Sequence, residues 1–301
     1  MCDSSRWHCV IKATKCNYAI LGRMQYIDTH AHLNLAQFAA DREAVFQKCA
    51  EEEVAMINVG TRKDTSQLAM ELAHTYEHAF AIVGVHPLNV VSADPDDPGA
   101  SAEGEVDYDF YKKLAEDPKT VGIGECGFDY FHNPESTYEA QRAVFEAQIA
   151  LANEVGKPLM LHLRSGQGGV AGGGCAAARN AYDDALDILA TEANVPGNAH
   201  FYAGTTAQAK RFFDLGYTIS FTGVITFAAM YEELVAYAPL DMIHAETDCP
   251  YVAPVPYRGQ RCEPWMVMST VAKIAAIKKL PEEAVAAQLR ENAERLYKIK
   301  V

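Results

Sequence analysis

The segment Gln25-Tyr26-Ile27-Asp28-Thr29-His30-Ala31-His32 is a short, largely apolar run that ends in two imidazoles one residue apart. Its composition predicts a strand over residues 25–29. Side chains two positions apart share a face of extended chain, so His30 and His32 aim at one point. The same pattern recurs along the chain. Short apolar runs at 54–59, 80–85, 120–124, 158–162, 198–202, 217–221 and 242–246 alternate with longer segments of helical period. With the first run they make eight strands, the number a closed parallel barrel requires. The expected fold class is therefore α/β, a single (β/α)8 TIM barrel. Helix ends can be read as well. Ser136-Thr137-Tyr138-Glu139 has the form of a capping box, and Val144, Gln148, Leu151 and Val155 then fall on one face before Gly156 stops the helix. Thr205 or Thr206 opens another helix, which ends at Gly216.

No linker divides the 301 residues, so residues 24–301 are expected to form one domain. Residues 1–23 lack periodicity and are expected to be a poorly structured extension, with Met24 an alternative start directly before the first strand. Residues 92–107 read as a solvated loop, and the glycine-rich stretch 165–179 as a flexible insertion that lacks the Gly-Lys-Ser/Thr ending of a phosphate-binding loop. No run approaches the roughly 18 apolar residues of a membrane span, and a cytoplasmic protein is expected. The eight cysteines include no C-x-x-C pair, which argues against a zinc ribbon or a disulfide framework. A formal net charge of −14 argues against a broad electrostatic grip on nucleic-acid backbone. It leaves a nuclease open, because bound metal ions add positive charge where a phosphate sits.

Five of the ten histidines, His30, His32, His86, His162 and His200, lie at the ends of expected strands. Glu125 ends the fourth run in Val121-Gly122-Ile123-Gly124-Glu125, where glycines allow close approach of backbone and ligand, and Asp248 follows the eighth in Glu246-Thr247-Asp248. The carboxyl ends of barrel strands converge on one mouth, where active sites of this fold lie. His30, His32, Glu125, His162, His200 and Asp248 suffice for two divalent metal ions with a carboxylate bridging between them. Mixed nitrogen and oxygen donors suit zinc, manganese or a similar ion better than calcium.

At these residues the chain resembles the TatD-like metal-dependent hydrolases, which include magnesium-dependent 3′–5′ deoxyribonucleases. The matching segments are Tyr26-Ile-Asp-Thr-His-Ala-His-Leu33, Val83-Gly-Val-His-Pro87, Ile123-Gly-Glu-Cys-Gly-Phe-Asp-Tyr130, Leu161-His-Leu-Arg164, Ala199-His-Phe-Tyr-Ala-Gly204 and Glu246-Thr-Asp-Cys-Pro-Tyr-Val-Ala-Pro-Val-Pro-Tyr-Arg-Gly259. The resemblance implies that His30, His32, Glu125 and Asp248 hold one metal (magnesium, manganese or zinc). It implies that Glu125 bridges to a second, completed by His162 and His200. The substrate it implies is DNA or a small phosphodiester, cleaved by metal-activated water with Asp248 accepting the proton. Arg164 and Arg258 would orient phosphate, and His86 would stand beside the substrate or the attacking water. Glu246, two residues before Asp248, should face the same way and support a ligand, while Cys126 and Cys249 should pack against helices.

The chain departs from the family pattern in three places. Arg261-Cys262-Glu263-Pro264 replaces the usual Asn-Glu-Pro, Ala203 replaces a small hydroxyl residue, and the insertion at 165–179 interrupts the segment leading to Tyr182–Leu186. None of the six expected ligands is altered. Two other functions use the same residues. One is hydrolysis of an amide, lactone or aminoacyl ester, which calls for a smaller, closed pocket. The other is a non-catalytic binding or scaffold protein that keeps a metal site, and turnover with added manganese would dispose of it.

Overall fold

The computed structural model describes residues 23–91, 101–166 and 179–301. Eight parallel strands follow one another round the sheet in chain order: β1 (Tyr26–Ala31), β2 (Val54–Val59), β3 (Ala79–Val83), β4 (Thr120–Asp129), β5 (Leu159–Arg164), β6 (Gly197–Ala199), β7 (Thr218–Phe221) and β8 (Ile243–Ala245). With helices between them, this is the (β/α)8 barrel. Each strand has the barrel interior on one side and helices on the other, which is why β2, Val-Ala-Met-Ile-Asn-Val, is buried at every position.

The seam between β8 and β1 is closed at the carboxyl rim. Ala31 bridges Cys249, the Asp248 N–H donates to the His30 carbonyl at 2.9 Å, and the His32 N–H donates to the Cys249 carbonyl at 3.1 Å. Beneath them the buried Asp28 carboxylate accepts from the Thr247 N–H at 2.9 Å, the Thr247 hydroxyl at 2.5 Å and the His30 N–H at 3.2 Å. Burial holds the Asp28 carboxyl well above its ordinary range, and the Thr247 and His30 donors oppose that rise. The last turn of the barrel is thus joined by the segments that carry His30, His32 and Asp248.

Several strand ends differ from the sequence reading at site residues: β1 runs through His30 to Ala31, and β5 runs past His162 to Arg164. Glu125 does not end β4. Ile123 pairs with Leu159 and Cys126 with Leu161, so three steps of β4 oppose two of β5, and the strand then runs on to Asp129. Such a bulge re-aims one side chain. Gly124 makes it possible: its φ is +143°, and a Cβ there would lie 2.4 Å from the Met160 carbonyl oxygen. His200 lies beyond β6, which stops at Ala199, and Phe201 takes a φ of 42°. His86 stands three residues past β3.

The helix Tyr138–Val155 ends, as expected, at a left-handed Gly156 with φ 65°. Its expected capping box does not form, because a 3-10 turn at Glu135–Thr137 precedes it. Thr137 instead donates to the Pro134 carbonyl at 2.7 Å and accepts from Gln141 Nε2 at 2.8 Å. The box at Thr205 does form, with Gln208, and opens the helix Thr206–Asp214. Of the expected tail and insertion, residues 1–22 and 167–178 lie outside the described residues. Arg23 is placed, donating to Glu294 at 3.0 Å. Among the described residues no helix is long and apolar enough to cross a membrane.

Candidate metal centre

The structure brings His30, His32, Glu125, His162, His200 and Asp248 to one place at the carboxyl ends of the strands, with His86 beside them. Glu125 stands at the centre. Its Oε2 lies 3.4 Å from His30 Nε2 and 3.7 Å from His32 Nε2. Asp248 Oδ1 faces the same pair, at 3.5 Å from His32 and 3.8 Å from His30. The other oxygen, Oε1, lies 2.7 Å from His200 Nε2, 2.9 Å from His162 Nδ1 and 3.3 Å from His86 Nε2. The donors therefore divide into two sets, one on each oxygen of a single carboxylate.

The electrostatics follow from this crowding. Burial alone would raise the pKa of Glu125, yet the neighbouring His200, His86 and His30 and the hydrogen bond from His162 hold it well below the ordinary carboxylate range. Asp248 is lowered in the same way against its burial, by the His32 hydrogen bond and the charges of His200 and His30. Burial works against protonation of His162, but bonds to Asp129 and Glu125 push it up to about 9. His200 is raised by Glu125 and Glu246, again against burial. His30 goes the other way, lowered by burial and by His200. Two ring nitrogens, His30 Nε2 and His32 Nε2, approach to 3.0 Å, which needs a proton or a cation between the lone pairs. The triads His30–His32–Asp248 and His86–Glu125–His162 each bring their ligand atoms within 4.8 Å of one another. Imidazole and carboxylate donors at this spacing fit divalent metal ions.

A buried layer of polar groups supports the cluster. Glu246 points inward as expected. It accepts from the Phe201 N–H and the Ser220 hydroxyl, both at 2.6 Å, and lies 3.6 Å from His200 Nδ1. Asp129 was not singled out in the sequence, yet its Oδ2 lies 3.0 Å from His162 Nε2 and 3.1 Å from His132 Nδ1. Four residues after Glu125, it reaches the cluster only because β4 continues past the bulge. Gln141 and Gln148, seven apart on one helix, were also missed in this role. Each grips a backbone peptide with both amide atoms, Gln141 at Asp129 and Gln148 at Val85. Asp248 itself has a φ of 56°, a left-handed conformation unusual for a residue with a side chain and typical of functional sites. Cys126 and Cys249 are fully buried in the hydrophobic core.

The cluster opens into a cavity of about 820 Å³. Arg164 lines it, its guanidinium stacked 4.0 Å above the Phe131 ring. Arg258 does not line it. That side chain lies 3.9 Å over Phe227 and donates to the Ala253 carbonyl at 2.9 Å.

A rim of imidazoles and carboxylates with metal-ligand spacing, set on a (β/α)8 barrel, defines a metal-dependent hydrolase. The family model described as TatD related DNase matches residues 27–298. The chain belongs to this TatD-related DNase family. It is 34% identical over 277 residues to an uncharacterized metal-dependent hydrolase, YabD, of Bacillus subtilis, covering 90% of this chain and 98% of the relative. It is 30% identical to another, YcfH, of Escherichia coli, covering 92% and 97%. The crystal structure of YjjV, a TatD homologue from Escherichia coli, superposes with a TM-score of 0.76 at 26% identity, covering 92% and 99%.

Proposed function

We propose that this hydrolase is a deoxyribonuclease of the 3′–5′ exonuclease type, cleaving phosphodiester bonds with two divalent ions. The observation that carries the reading is the division of donors about Glu125. His30, His32, Asp248 and Glu125 Oε2 would hold one ion. His162, His200 and Glu125 Oε1 would hold the other, with Glu125 bridging. When bound, the ions supply Lewis acidity toward a phosphoryl oxygen and lower the pKa of a water. The chain supplies the rest. Asp248, whose carboxylate is ionised at neutral pH, would accept a proton from the attacking water. Arg164, on the cavity wall, presents a planar donor to phosphate. Arg258, held over Phe227 outside the cavity lining, would meet only a longer substrate. A cavity of about 820 Å³ favours an extended substrate over the compact amide, lactone or ester of the alternative reading.

The test is a panel of single-stranded DNA, duplex DNA, RNA and small phosphodiesters, each with added manganese or chelator. Asp248→Asn should fold normally and lose on the order of 10²-fold or more in rate, because an amide cannot accept the proton. Wild-type cleavage by Asp248→Asn would sink the mechanism. A protein that binds two metals, ignores every nucleic acid and cleaves an amide or ester would transfer the function to the alternative.

A further inference from the structure

Among the described residues four arginines lie against an aromatic ring: Arg164 over Phe131 at 4.0 Å, Arg179 over Tyr138 at 3.5 Å, Arg258 over Phe227 at 3.9 Å and Arg261 over Phe38 at 4.3 Å. Two of these stacks hold the fold together. Arg179 is also paired with Asp184, Arg261 with Asp41 and Glu263, Phe38 is buried and Tyr138 is half-buried. The other two differ on both counts. Among the described residues neither Arg164 nor Arg258 is paired with a carboxylate, both are exposed, and Phe131 and Phe227 are each 43% exposed.

Both stand at the carboxyl rim. Phe131 lies two residues past β4, Arg164 ends β5, and both line the cavity. The Tyr130 N–H donates to the Arg164 carbonyl at 2.8 Å, which ties the two strand ends together. Asp129 joins the pair to the cluster: Oδ1 accepts from the Phe131 N–H at 2.9 Å, and Oδ2 lies 3.0 Å from His162 Nε2. Phe227 follows β7 and Arg258 follows β8, on loops joined where the Val255 N–H donates to Thr226 Oγ1 at 2.9 Å. Three residues after Phe227, Met230 lines the cavity and is 77% exposed.

A guanidinium laid on a ring has a fixed plane. Its N–H edge stays free for a phosphate, while its outer face and the open part of the ring form a flat surface. A nucleobase beside its own phosphate uses the edge and the surface together, and every base has a π-face. In a chain of net charge −14, arginines without an acidic partner beside the site also draw an anionic strand there.

We propose that Phe131 with Arg164, and farther out Phe227 with Arg258, are stacking platforms for unpaired bases of a nucleic-acid strand whose end reaches the metal centre. The assignment rests on the phosphodiesterase reading and makes the base, not the phosphate alone, a recognised part of the substrate.

Binding is read on chelator-stripped protein, so that no strand is cut. Single-stranded oligonucleotides carry the fluorescent base 2-aminopurine at each position from the 3′ end in turn. The wild type should quench it at the stacked position, and Phe131→Leu should bind that strand about 10-fold or more weakly, the scale of one base–aromatic stack. Phe131→Trp, which keeps an aromatic face, should hold the affinity. Arg164→Lys keeps the charge but not the plane, and should weaken binding as Phe131→Leu does. Equal affinities for the wild type and Phe131→Leu, with circular dichroism unchanged, would overturn the proposal. Wild-type affinity in Arg164→Lys would reduce the arginine to a point charge and overturn it as well.

Kinetics with manganese give the second readout. An abasic residue at the stacked position should raise KM of the wild type by about 10-fold or more. It should change KM little in Phe131→Leu, where the ring is already gone. One KM for normal and abasic strands in the wild type would overturn the platform and leave the nuclease reading standing. A wild type that binds and quenches these strands but cuts none would fail the nuclease reading alone. Phe227→Leu should weaken only strands that extend beyond the cavity, and an equal loss on a dinucleotide would overturn the second platform.

Discussion

Gln148→Leu tests how the barrel rim holds the site. Gln148 is 1% exposed, and its amide replaces a neighbouring strand: Oε1 accepts from the Val85 N–H and Nε2 donates to the Val85 carbonyl, both at 2.9 Å. Val85 lies just beyond the end of β3, where the ladder no longer serves its peptide. Gly84 permits the approach, since a Cβ there would lie 2.2 Å from Gln148 Oε1. Leucine fills nearly the same volume but offers neither donor nor acceptor, so two buried backbone groups lose their partners. At about 1–3 kcal/mol for each unsatisfied group, the loss should be about 2–6 kcal/mol. Urea denaturation should show a lower midpoint at unchanged slope. Because Val85 precedes His86, kcat should fall as well, while manganese stoichiometry stays at that of the wild type. A change below about 0.5 kcal/mol, the range of an ordinary surface substitution, would refute the reasoning, since it would mean that water or a shifted backbone satisfies Val85 equally well.

Gly124→Ala should cost about 1–3 kcal/mol from the φ of +143° alone, with the contact to the Met160 carbonyl adding to it. The readout is thermal unfolding together with loss of metal uptake, because the bulge that aims Glu125 would relax. His244 is fully buried, and burial, with the charge of Arg295 adding, lowers its pKa to about 3. A folded pKa below the unfolded one means stability present above about pH 6.5 and lost as pH falls toward about 3, at about 1.4 kcal/mol per unit. His244→Asn should therefore flatten the stability profile in that window relative to the wild type, as measured by urea unfolding at successive pH values. Arg164→Ala should raise KM for phosphodiesters by about 10-fold or more, the scale of a charge-assisted hydrogen bond. Its metal content, read by calorimetry, should not change.

The strand count and the residues of the cluster were legible in the sequence because both leave one-dimensional marks. Apolar runs repeat at barrel spacing, and imidazoles and carboxylates fall where those runs stop, a position the fold turns into a common mouth. His30, His32, Glu125, His162, His200 and Asp248 could be found in this way without knowing what any of them touches. What they touch depends on register. The bulge at Glu125 exists because three residues of β4 oppose two of β5, and no residue pattern separates that from a strand that stops. Past the bulge, β4 delivers Asp129 to His162, a contact between residues 33 apart. The seam is closed by Asp28 and Thr247, 219 positions apart, which meet only once eight strands have gone round. Gln141 and Gln148 read as helix-face residues, and only the packed structure shows each of them gripping a backbone peptide. The groups behind the site histidines are of the same kind: the Val59 carbonyl behind His32 and the Asp129 carboxylate behind His162 are a matter of three-dimensional placement, not of residue type.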